Sequence, residues 1–219
     1  SFALDRNQML ELVGSAPEPF PDPVFNQSPG VAVPSLCSDR TWESLLWGFD
    51  MKLAGGKKKW VINARSETAS EKQLFRNGFQ KARCILPASG FFEWRRQEAG
   101  SQPFYFSARD TDGILLGALR IGNGPETSVI VLTCEADPWM SEVHHRAPVL
   151  IRPDRSEAWL EGGRSGEDAL GTCSFSDQEG SLRRHAVSER VNRVSENDEK
   201  LLEPVREEKV PNQPDLFDV

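Results

Sequence analysis

Apolar residues along this chain come in short bursts, and the spacing inside each burst separates strands from helices. Runs rich in β-branched and aromatic residues predict strands at residues 31–36, 43–49, 103–108, 113–119, 128–134, 147–151 and 183–188. Residues 60–68, WVINARSET, read as a strand that runs into a polar turn. Residues 83–96, RCILPASGFFEWRR, read as a strand, a Pro-Ala-Ser-Gly kink and a second strand. Helical spacing is rarer. It predicts a helix over residues 8–13 after an Asp5–Asn7 cap region, one over 70–78 anchored by Leu74 and Phe75, and one over 153–160 with Trp159 facing inward. Residues 137–144 hold a helical turn, and the proline-dense residues 14–30 form an ordered extended loop. Many short strands with few helices predict an α+β fold, strand-dominated, with a curved, barrel-like mixed sheet. The expected organisation is one domain over residues 1–206 and a flexible tail over 207–219, with no internal repeat.

Composition narrows the function classes. A chain of 219 residues can bury a sizeable core. No apolar run reaches the roughly 18–20 residues of a membrane-spanning helix, and no signal-peptide pattern is present, so a cytoplasmic, nucleoid-associated monomer is expected. Cys37, Cys84, Cys134 and Cys173 are scattered without a C-x-x-C pair, which predicts reduced thiols and neither metal nor cofactor. The net charge of −7 argues against nucleic acid, but its distribution reverses the argument. The segment from Lys52 to Arg96 carries 11 basic and 3 acidic residues, a net +8, against −15 for the remainder. Screening confines surface charge to about 10 Å, so such a patch can meet phosphate on an acidic protein. The alternative is a solvated hairpin tip at GGKKK, residues 55–59.

Three stretches combine reactive side chains with awkward backbone. In INARSET, alternation puts Asn63, Arg65 and Glu67 on one face, with Thr68 following; Asn and Arg together can hold a phosphate or an oxyanion, or simply cap a strand end with a salt bridge. In GFFEW, Glu93 lies among Phe91, Phe92 and Trp94, where lost solvation would raise its pKa toward that of a general acid. Alternation alone would instead turn Phe92 and Trp94 inward and Glu93 to solvent, and the motif by itself favours that. In EVHHRAPVLI, His144 and His145 precede a strand, and period-2 geometry lets only one of them face a site. No dinucleotide fingerprint, Walker loop, H-E-x-x-H or G-x-S-x-G elbow is present.

Taken in order, FNQSPG, WGF, INARSET, RCILPASGFFEW, QPFYF, VLTCEAD, VHHRAPVLI and VSERVNRVSENDEKLLEPV resemble the SRAP (SOS response-associated peptidase) family, over roughly residues 2–205. The resemblance implies a protein that binds abasic sites in single-stranded DNA and attaches to them covalently through an N-terminal cysteine. By motif it assigns Asn63, Glu93 and His144 to catalysis, Arg65 and Thr68 to DNA, and Pro29, Trp47 and Trp94 to walls near the lesion. An α-amine condenses with the ring-opened sugar aldehyde, and the neighbouring thiol closes a thiazolidine on the imine. Family members begin Cys-Gly-Arg-Phe, whereas this chain begins Ser1-Phe2. Ser1 is the position nearest the absent cysteine, and the expectation is a missing or altered start; a natural variant would stop at the imine. A peptidase, as the family name says, and a non-catalytic single-stranded-DNA or clamp-binding adaptor are the alternatives. In the tail, QPDLF is similar to peptides that dock on the bacterial sliding clamp, with Gln213, Leu216 and Phe217 as anchors.

Overall fold

The computed structural model describes residues 1–52, 56, 58–98, 100–122, 124, 127–175 and 178–207. Its strands are β1 (Ala32–Cys37), β2 (Trp42–Trp47), β3 (Phe49–Lys52), β4 (Lys58–Val61), β5 (Asn63–Arg65), β6 (Arg83–Ala88), β7 (Phe91–Arg96), β8 (Ser101–Ala108), β9 (Ile114–Ile121), β10 (Ser128–Glu135), β11 (Arg146–Pro148) and β12 (Leu182–Ala186). β10, β2, β1, β6 and β9 pair in turn, and β9 returns to β10, so the sheet closes on itself. Closure removes the open edges that a flat sheet would expose. The first half of β10 pairs with β9 and β2, and its second half pairs with β5 and β11. That handover lets β5 and β11 flank β10 beyond the ring. A second sheet, β12-β8-β7, is antiparallel throughout.

Alternation explains the two cores. On β6, Cys84, Leu86 and Ala88 enter the cluster that includes Phe104 and Phe106 of β8. Ile85, one residue out of phase, enters the opposite cluster with Phe79 and Trp159. That second cluster lies under α1 (Arg6–Val13), α2 (Gln73–Lys81), α4 (Ser156–Leu160) and α5 (Gly166–Cys173). α3 (Pro138–Ser141) follows Asp137, whose carboxylate accepts the Met140 N–H at 2.7 Å, and α6 (Gln178–Ser181) precedes β12.

The expected strand over 43–49 is two strands. Gly48 breaks it at φ +102°, and a Cβ there would stand 2.8 Å from the Trp60 ring. The expected strand over 60–68 also divides: β4 pairs with β3, the chain leaves that hairpin at Ile62, and β5 pairs with β10. α2 begins and ends three residues later than expected, because its buried face is Phe75, Gly78 and Phe79. α5 was not legible, since GEDALGTC holds two glycines and a weak apolar stripe; Ser165 caps it by accepting from the Asp168 N–H. The basic segment is less uniform than its charge count. Arg83 is 1% exposed and donates to the carbonyls of Phe79, Gln80, Trp159 and Glu161, so it braces the core. No helix among the described residues is long and apolar enough to cross a membrane.

Candidate active site and nucleic-acid cleft

A cleft of about 540 Å³ gathers Ser1, Pro29, Trp47, Asn63, Glu93, Trp94 and His144, seven residues that span most of the chain. β5 supplies Asn63, in register with Val131 of β10, and both residues line the cleft. β7 supplies Glu93. Alternation holds on β7, with Phe92 and Trp94 packing toward Tyr105, Val187 and Val191. The opposite face is not open solvent, as the simplest reading of the motif had it. Phe91 stacks on Phe106 at 5.0 Å, and Glu93 faces His144. His144 lines the cleft and His145 is exposed, so one histidine of the pair faces the site.

The electrostatics are those of an acid held ready. Glu93 Oε2 stands 3.6 Å from His144 Nδ1. Burial pushes the Glu93 carboxyl up to about 7, against the opposing pull of His144 and the Trp94 N–H. His144 Nδ1 also lies 2.9 Å from the Arg146 carbonyl and 3.3 Å from the Arg146 N–H. Nδ1 therefore has a backbone partner both as donor and as acceptor, which suits a proton relay.

Ser1 is buried beside the same cleft. Its nitrogen donates to the Gly90 carbonyl at 2.9 Å, and its hydroxyl accepts from Ser89 Oγ at 2.8 Å. Burial lowers the Ser1 amine to about 5. Gly90 lets the start of β7 lie close against β8: a Cβ there would stand 2.2 Å from the Phe106 carbonyl. Of the walls, Trp47 donates its Nε1–H to the Ile62 carbonyl at 3.2 Å, and Trp94 donates to Asn192 Oδ1 at 2.7 Å.

Arg65 and Thr68 are not among the cleft-lining residues. Arg65 is exposed at the end of β5, opposite Thr133, which does line the cleft. Thr68 lies in the 3-10 turn Ser66–Thr68, with its hydroxyl buried and without a hydrogen-bond partner among the described residues. That turn also takes Glu67 off the strand face it was expected to share. Glu67 binds Arg146 through both oxygens, at 2.7 and 2.9 Å, and this pairing holds its carboxyl down to about 2. Arg146 and Asn192 fall within the sequence motifs, which do not mark either as part of the site. Their partners are 79 and 98 residues away in sequence, beyond any local pattern. Gln213, Leu216 and Phe217 lie outside the described residues. No group of three or more potential metal ligands occurs among the described residues.

A family model described as SOS response associated peptidase (SRAP) matches residues 2–194. The chain is 30% identical over 203 residues to the abasic site processing protein YedK of Escherichia coli, covering 84% of this chain and 87% of that one. It is 27% identical to the abasic site processing protein HMCES of Xenopus tropicalis, covering 64% of this chain and 54% of that one. A solved structure from Bordetella bronchiseptica shares the fold with a TM-score of 0.70 at 24% identity, over 85% of this chain and 98% of that one.

Proposed function

Because the chain belongs to the SOS response-associated peptidase (SRAP) family, we propose that its cleft receives an abasic site of single-stranded DNA and holds it for covalent attachment to the protein's N-terminal residue. The observation that carries this reading is the Glu93–His144 pair, a carboxyl titrating at about 7 beside an imidazole, facing the cleft that also holds Ser1. The abasic sugar opens to an aldehyde as protonated Glu93 gives its proton to the ring oxygen, the bond from C1 to that oxygen breaks and the C1 hydroxyl loses its own proton to solvent. An unprotonated α-amine adds to the aldehyde carbon, and loss of water leaves an imine. His144 accepts the proton that the amine sheds and returns it to the departing hydroxyl. Asn63 holds the amine in line, and Arg65 meets a backbone phosphate at the rim. Pro29, Trp47 and Trp94 stack the flanking bases. A thiol on the N-terminal residue would then add to the imine carbon and close a five-membered ring, with one proton moving from sulfur to nitrogen.

Two polypeptides test the scheme: the 219-residue chain and the same chain preceded by Cys-Gly. Each is incubated with a single-stranded oligonucleotide bearing one abasic site and weighed intact. The cysteine form should gain the oligonucleotide irreversibly, and the form beginning at Ser1 only after borohydride reduction. Glu93→Gln should slow capture at least about 100-fold. If neither form is captured under either condition while both still bind the oligonucleotide, the protein is a non-catalytic adaptor. We further propose that residues 213–217 dock on a sliding clamp and carry the protein to replicating DNA.

A further inference from the structure

Residues 187–198, VSERVNRVSEND, form a clip across the rim of the cleft that none of the chemistry above uses. Its asparagines join stretches far apart in sequence. Asn192 Oδ1 accepts the Trp94 Nε1–H at 2.7 Å. Asn26 Nδ2 donates to the carbonyls of Val191 and Arg193 at 3.0 and 3.1 Å. Asn197 Oδ1 accepts from the backbone N–H groups of Phe25 and Asn26 at 2.7 and 3.2 Å. The clip is braced from within, because the Arg190 guanidinium reaches both Glu196 and Asp198. The loop carrying Pro29 and the strand carrying Trp94 are thus tied to one rigid piece.

Trp94 is the wall most dependent on this tie. It packs against Tyr105, Val187 and Val191 and also lines the cleft. An indole carries one donor, so the group that accepts it sets the angle of the ring. We infer that Asn192 is a positioning residue for base stacking: through its side-chain carbonyl it fixes the Trp94 indole as a flat wall for the nucleotide beside the abasic site. The inference rests on the single-stranded-DNA reading of the cleft. It adds that stacking at Trp94 is set from the clip, 98 residues away in sequence.

The test is a double-mutant cycle on equilibrium binding of a single-stranded oligonucleotide with a tetrahydrofuran spacer, which mimics the lesion without an aldehyde. Asn192→Ala should raise Kd about five-fold, the size of one lost hydrogen bond. In the Trp94→Phe background, which lacks the indole donor, the same change should have no further effect. A second readout is the 19F spectrum of the protein labelled with 5-fluorotryptophan. The resonance absent from Trp94→Phe should shift or broaden in Asn192→Ala, while those of the other five tryptophans stay. Equal weakening by Asn192→Ala in both backgrounds, or an unmoved Trp94 resonance, overturns the inference and leaves the cleft reading standing. If Trp94→Phe binds as tightly as the parent, the stacking wall fails and the inference falls with it.

Discussion

Glu93 shows at the level of one residue how chemistry and stability oppose each other. Its carboxyl titrates at about 7 because burial disfavours the charged form more than His144 favours it. The folded pKa therefore lies above the unfolded value of about 4.3. Between those two values the folded chain binds more protons than the unfolded one, so stability falls as pH rises through that window. Glu93→Gln removes the charge and keeps the shape. It should leave stability near pH 4 unchanged and raise it at pH 8 by roughly 1–3 kcal/mol, while slowing capture of DNA at least about 100-fold. Urea unfolding at the two pH values checks the sign. The GFFEW motif made Glu93 legible as a candidate. Its burial was not legible, because that depends on His144 arriving from 51 residues further along.

The element that organises the site is β10. Its second half holds β5 on one side and β11 on the other, so Asn63 and the His144 turn reach the same end of the ring. The Glu67–Arg146 pair staples the turn after β5 to β11, and Arg146 also donates to the Thr133 carbonyl at 2.6 Å. Glu67 is 46% exposed, so solvent discounts the energy that its low pKa would imply. Glu67→Ala should cost about 1 kcal/mol in thermal unfolding and slow crosslinking, because the backbone that partners His144 is loosened. The folded pKa of about 2 lies below the ordinary carboxylate value. The staple's contribution is thus complete above about pH 4.5 and lost as pH falls through 2. INARSET was legible as a strand running into a turn. The exit of Glu67 from the strand face was not, because a 3-10 turn changes the period after Arg65.

At the scale of the whole molecule, an acidic protein concentrates 11 of its 26 basic residues in one segment, and the fold assigns them separate tasks. Arg83 braces the core, Lys58 pairs with Asp50 at 3.0 Å, and Arg65 stands exposed beyond the cleft. Deleting residues 212–219 should abolish retention on an immobilised sliding clamp and leave capture of an abasic oligonucleotide unchanged. Undiminished retention would refute the docking role. The sequence by itself determined the strand-dominated class, most strand positions, a cap region over residues 5–7 before α1 and the identity of Asn63, Glu93 and His144 as candidates. Those features depend on side-chain period, turn chemistry and motif, all readable within about ten residues. Only the tertiary structure decided that β10 closes the ring against β2, that Glu93 is half-buried against His144 and that Asn192 holds Trp94. Each of these is a contact between distant parts of the chain, set by packing that no local pattern encodes.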